Sequence, residues 1–168
     1  MKSAINFEEL LPWFGVSGYG EAVEQMPPGG QQNGIIRTDQ SWYVRCGFST
    51  TGALNYIMCG DWKIEVLFEK YGKEEFELPN SKTTVPCVAQ PYNYYAEIMI
   101  PANVVPPGVY DVVTTIDFVG KSGHPGPITG FCKLEGLRVY TASAIGASAK
   151  AQPNAHVLVA EAADENGR

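Results

Sequence analysis

Trp62-Lys63-Ile64-Glu65-Val66-Leu67-Phe68-Glu69-Lys70 sets Trp62, Ile64, Val66 and Phe68 in one phase against mostly charged neighbours. A period of two with one apolar face is the signature of a half-buried β-strand. Upstream, Trp42, Val44, Cys46 and Phe48 alternate with Tyr43, Arg45 and Gly47, which reads as a second strand of the same kind. Residues 49–61 between the two are too long for a hairpin turn and carry apolar residues of their own, so a crossing from one sheet to another is expected there. Downstream, Tyr71-Gly72-Lys73 closes the strand, and Glu74-Glu75-Phe76-Glu77-Leu78 before Pro79-Asn80 predicts a turn and a short peripheral strand. Residues 84–89 and 94–100 read as further strands, the first at a sheet edge because Pro86 cannot donate to a ladder.

Composition extends this to the whole chain. At 168 residues, 45% hydrophobic and 18% charged, the chain is long and apolar enough to bury one core and has no second compact unit in view. The 18 glycines and 12 prolines cluster between apolar runs, as in a set of short strands joined by turns. An all-β class follows. A net charge of −6 with scattered lysines and arginines argues against a nucleic-acid partner, which needs basic residues to neutralise phosphates. Glu8, Glu9 and Asn6 interrupt the apolar start where a signal peptide needs a continuous run, so synthesis in the cytoplasm is expected, with incorporation into a particle or export by a signal-less route as the alternatives. No stretch approaches the roughly 20 apolar residues of a membrane-spanning helix.

The inventory for chemistry is thin. Cys46, Cys59, Cys87 and Cys132 form no Cys-x-x-Cys pair, so zinc is not expected. The four read as small buried thiols, with two disulfides as the other arrangement. His124, in Gly123-His124-Pro125-Gly126, reads as part of a turn, and His156 stands near no nucleophile pattern. Gly15-Val16-Ser17-Gly18-Tyr19-Gly20 resembles a phosphate cradle only superficially, since no βαβ unit surrounds it; it reads as a flexible turn. Adjacent acids such as Glu74 and Glu75 would face opposite sides of a strand and cannot work as a carboxylate pair. No catalytic residue, metal ligand or cofactor is assigned, and no enzyme activity is expected.

Residues 101–118 add a more specific pattern. Pro106-Pro107-Gly108-Val109-Tyr110-Asp111-Val112 forms a Pro/Gly corner that opens a long strand with Tyr110, Val112, Thr114, Ile116 and Phe118 in phase. This resembles the tyrosine corner of immunoglobulin-like and fibronectin-like β-sandwiches. The resemblance implies that the Tyr110 hydroxyl bonds to backbone just upstream, and that Trp62 is the core tryptophan of the third strand; Trp42, on the inward phase of its own alternating strand, reads as a further structural aromatic. It also implies a departure: antibody-type domains carry a cysteine where Val112 stands, so Cys46 on the partner strand lacks its usual mate and the sandwich is disulfide-free. The likeness covers residues 35–140, with a final strand expected within residues 128–140, and it speaks to the fold rather than to function.

The two flanks fall outside that pattern. Residues 1–34 hold an apolar cluster of Ile5, Phe7, Leu10, Leu11, Trp13 and Phe14, which reads as an arm that docks on its own sandwich or on a neighbouring subunit. Residues 141–168 form an Ala/Ser/Gly-rich linker followed by a short apolar segment around Val157, Leu158 and Val159, suited to adding to a sheet edge. An immunoglobulin-like antiparallel β-sandwich with N- and C-terminal extensions is therefore expected. Its expected function is non-enzymatic, as a structural or interaction module whose copies self-associate, or which docks on a filament, particle or tail assembly. The alternative is a carbohydrate- or peptide-binding sandwich whose platform is Tyr92, Tyr94 and Tyr95, with Tyr43 and Tyr56 nearby, since exposed rings can stack on sugars.

Overall fold

The computed structural model describes residues 1–24, 34–72, 75–76, 78 and 81–141. The short run at Val157, Leu158 and Val159, together with Glu74 and Pro27 to Gly30, lies outside the described residues.

The alternation around Trp62 forms strand β5, Gly60–Lys70, here named in the chain-order series β1 Lys2–Glu9, β2 Gly15–Glu24, β3 Ile35–Arg37, β4 Trp42–Thr51, β5, β6 Glu75–Phe76, β7 Lys82–Pro86, β8 Asn93–Ile100, β9 Gly108–Gly120 and β10 Pro125–Tyr140. Hydrogen bonding links them in the order β6-β5-β9-β10-β1-β2-β4-β8, with β3 on β10 and β7 on β5. The protein is all-β and antiparallel, apart from the short parallel contact of β3 with β10.

One strand joins the two halves of this path. The first half of β1 pairs with β2, from Lys2↔Glu21 to Ile5↔Gly18, and its second half pairs with β10, from Asn6↔Phe131 to Glu9↔Ile128. The sheet then folds over so that β4 faces β5. Phe48 meets Trp62 edge-on at 5.2 Å and Trp42 meets Phe68 at 5.8 Å. The result is a nearly closed barrel-like sheet around one apolar core, in which Trp62, Ile64, Val66, Phe68, Tyr110, Val112 and Ile116 are all essentially inaccessible. Burying side chains of this size is the main favourable term in the fold, at about 1.5–3 kcal/mol each.

The corner is formed as the resemblance implied: the Tyr110 hydroxyl donates to the Pro106 carbonyl at 2.7 Å. The crossing between β4 and β5 contains a short 3-10 helix, Ala53–Ile57. Pro86 ends β7, which among the described residues pairs only with β5. All four cysteines are free, with Cys46 and Cys132 buried and Cys59 exposed. Exposed Cys59 departs from the expectation of small buried thiols. Burial pushes the Cys46 thiol up to about 12, helped by nearby Cys132, so it packs as an inert hydrophobe.

Two readings of the flank are corrected. Residues 15–20 are not a flexible turn; they begin β2, which is in register with β4 from Gly15↔Thr51 to Glu24↔Trp42. Their glycines serve packing rather than turning. A Cβ at Gly18 would lie 2.6 Å from Phe48 Cβ, and one at Gly20 would overlap the Cys132 sulfur. Nor do the described residues of the 1–34 flank form an appended arm, because residues 2–24 supply two full strands of the sheet.

Candidate interaction surfaces

The apolar cluster of the first strands divides between core and solvent. Ile5 and Phe14 are buried, Phe7 and Leu11 pack against the core from half-buried positions, and Phe7 lies 6.2 Å from the Phe48 ring. Leu10 and Trp13 instead stand 86% and 79% exposed in the turn between β1 and β2. Trp13 adopts a positive φ of 56°, a left-handed conformation that is costly for a residue with a Cβ. That strained backbone carries the largest side chain in the turn, outward.

The β4–β5 crossing lies against this turn. The Leu54 N–H donates to the Trp13 carbonyl at 3.4 Å. Gly52, at φ 94°, lets the chains approach, since a Cβ there would overlap the same carbonyl. Buried Asn55 fixes the crossing by donating its amide to the Thr51 and Gly52 carbonyls at 2.7 and 2.9 Å. Tyr56 and Ile57, at 65% and 77% exposed, complete an end that bears no charged residue in residues 10–16 or 50–60. Ile57 was missed as a candidate in the sequence, because only the contact with Trp13 shows that the two loops share a surface.

The tyrosines expected to form one platform do not do so. Tyr94 points inward, stacks on Phe48 at 4.8 Å, and its hydroxyl accepts the Val88 N–H at 2.9 Å. Tyr95, the next residue on β8, must face the other way and is exposed. Tyr92 is exposed at the strand's start, tied to the end of β4 by a bond from the Thr50 N–H to its carbonyl at 3.0 Å. Tyr56 belongs to the loop end, and Tyr43 lies on the outer face of β4 with the Arg45 guanidinium 5.6 Å from its ring.

What gathers around Tyr95 is a different set. Register aligns Tyr19, Gly47 and Tyr95 across β2, β4 and β8, and beside them Ser17, Ser49 and Asn93. These six line a shallow groove of about 460 Å³. The Tyr95 hydroxyl donates to Glu97 Oε2 at 3.0 Å, and the same oxygen accepts from Arg45 Nε at 2.6 Å. Partial burial and the Glu97 carboxylate both hold the Tyr95 hydroxyl above its ordinary value, so it stays protonated. Only pairing of distant strands assembles this row, and no local motif announces it.

His124 sits on an exposed turn outside both surfaces, where its carbonyl accepts the Gly120 N–H at 3.0 Å. Among the described residues, no group of three or more His, Cys, Asp or Glu is arranged to hold a metal ion, and no helix is long and apolar enough to cross a membrane.

No protein-family model matches the chain, and no curated protein matches it. Four chains of solved structures match. One is the crystal structure of chicken MD-1 complexed with lipid IVa, which is 10% identical with a TM-score of 0.27, over 77% of this chain and 97% of that one. The lipid in that structure is MD-1's ligand.

Proposed function

We propose that the chain is a non-enzymatic interaction module that docks on a protein surface, that of its own copies or of a larger assembly such as a filament or particle, through the uncharged end formed by residues 10–14 and 52–58. The observation that carries this is Trp13, a large ring held in solvent by a strained backbone. Local strain of this kind costs about 1–3 kcal/mol and persists where the surroundings enforce it. Leu10, Trp13, Tyr56 and Ile57 each forgo about 1.5–3 kcal/mol while they remain in water. A cluster of aromatic and branched side chains without charge has the composition of the desolvated centre of a protein interface.

The finer fold assignment, an immunoglobulin-like sandwich, is supported by the Tyr110 corner bond, by Trp62 on the strand after the first crossing, and by the pairing of β4 with β8 and of β5 with β9. In this assignment the module is a rigid scaffold that carries its binding residues on loops at one end.

Light scattering on a sizing column over a concentration series, with the native chain beside Leu10→Ser and Trp13→Ser, tests the reading. The native chain is expected to form a defined oligomer, and the variants are expected to elute near the 18.3 kDa chain mass with unchanged β-rich circular dichroism. An oligomer that survives both substitutions would overturn the role of this end. A native monomer at every concentration would exclude self-association and the filament with it.

A further inference from the structure

The outer face of β2, β4 and β8 is a second surface, independent of the loop end. Its centre is Gly47, which the register sets between Tyr19 and Tyr95. The Tyr19 ring leans across the gap that Gly47 leaves, with its edge atoms 2.9 Å and its hydroxyl 3.0 Å from where a Cβ would stand. The Tyr19 hydroxyl therefore lies in the middle of the groove. Lys2 Nζ, 3.6 Å from the ring centroid, occupies one face of Tyr19 and holds it in place. Tyr95 is held as well, through Glu97 and Arg45, yet keeps 55% of its surface in solvent. The floor thus offers one fixed aromatic ring and one fixed phenol.

We infer that this groove binds a neutral oligosaccharide. A pyranose has an apolar C–H face that packs on an aromatic ring and a rim of hydroxyls that both donate and accept. Tyr95 supplies the ring. The Tyr19, Ser17 and Ser49 hydroxyls and the Asn93 amide supply uncharged groups with the same dual capacity. Because Tyr19 and Tyr95 are already immobilised, little side-chain freedom is lost on binding. The groove is open rather than a cavity, and through Ser49 and Asn93 it continues into a second depression of about 500 Å³ bordered by Thr51, Pro91 and Tyr92. A chain of sugars fits that length better than a single ring. Glu21 and Glu97 form the adjoining row with Arg45, and the net charge is −6, so acidic sugars are disfavoured.

The test is titration of the isotope-labelled native chain with short neutral oligosaccharides of glucose, xylose, mannose, galactose and N-acetylglucosamine, read by amide shifts. At least one series is expected to move Gly47, Ser49, Asn93 and Tyr95. Tyr95→Ala should weaken its binding about tenfold or more, as should Gly47→Val, whose side chain would collide with the Tyr19 ring and push its hydroxyl out of place. Tyr43→Ala, on the same face but outside the groove, should leave binding unchanged, and so should Trp13→Ser, which separates this site from the loop end. Absence of shifts across the panel, or affinity that survives Tyr95→Ala, would overturn the inference. A peptide that moved these amides when no sugar did would do so too.

Discussion

The Tyr110 hydroxyl reaches back four residues to the Pro106 carbonyl, 2.7 Å away, fastening the corner between β8 and β9 to the strand that runs through the core. The ring is wholly buried and meets Phe68 edge-on at 6.2 Å. Tyr110→Phe keeps that packing and removes the bond. Loss of about 0.5–1.5 kcal/mol is expected, seen as a lower urea midpoint with an unchanged slope. A variant as stable as the native chain would show that water replaces the hydroxyl at no cost.

Gly20 lies beneath the Cys132 sulfur, which occupies the space a Cβ would take. Gly20→Ala overpacks this point of the core and should cost about 1–3 kcal/mol. Because the conflict is with a single sulfur, Cys132→Ala should relieve part of it. In a double-mutant cycle by chemical denaturation, the double variant is expected to lose less than the sum of the singles. Additive losses would place the strain elsewhere.

Trp13 and Gly52 both have positive φ, 56° and 94°, and only one of them is glycine. Gly52→Ala should destabilise the protein by about 1–3 kcal/mol, since the backbone is unsuited to a Cβ and the Trp13 carbonyl stands in its place. Trp13→Gly should do the opposite or nothing in thermal melts, because it removes strain and little buried surface. The two outcomes together separate a turn built for stability from one built to present a side chain.

Asp111 is buried on β9, where its carboxylate meets Lys133 Nζ at 2.8 Å and accepts the Gly136 N–H at 2.9 Å. Burial alone would push its pKa up, but Lys133, the Gly136 N–H and the Tyr71 hydroxyl outweigh it and hold the group below its ordinary 3.8. With the folded value below the unfolded one, the stabilisation is present above the unfolded pKa and is lost as pH falls through the folded pKa. Urea midpoints measured from neutral pH into the acid range should therefore fall below about pH 4. Asp111→Asn should flatten that limb; an unchanged slope would assign the acid sensitivity to other carboxylates.

The sequence was most legible where one residue's surroundings are set by its own strand. The alternation around Trp62 and Trp42 gave β5 and β4, and the resemblance that the Pro/Gly corner carries implied the Tyr110 bond. It was misleading at residues 15–20, because glycine is demanded equally by a turn and by close approach of strands, and only the positions of Phe48 and Cys132 decide between them. The tyrosine platform failed on the same alternation that served β5, since Tyr94 and Tyr95 cannot share a face. The row Tyr19, Gly47 and Tyr95 needs the register of three strands, and the contact of Trp13 with Gly52 needs two loops far apart in the chain. Neither leaves a local trace.

The divided pairing of β1 has a consequence for how the molecule comes into being. Asn6 finds its partner in Phe131, 125 positions further along the chain, so the earlier segment must wait for the later one before its own ladder is complete. Closing so long a loop is slow, though the entropy it costs grows only gently with length. Until then, the half of β1 beyond Ile5 is an open edge beside exposed Leu10 and Trp13, and the nascent chain is most exposed to mispairing in that interval.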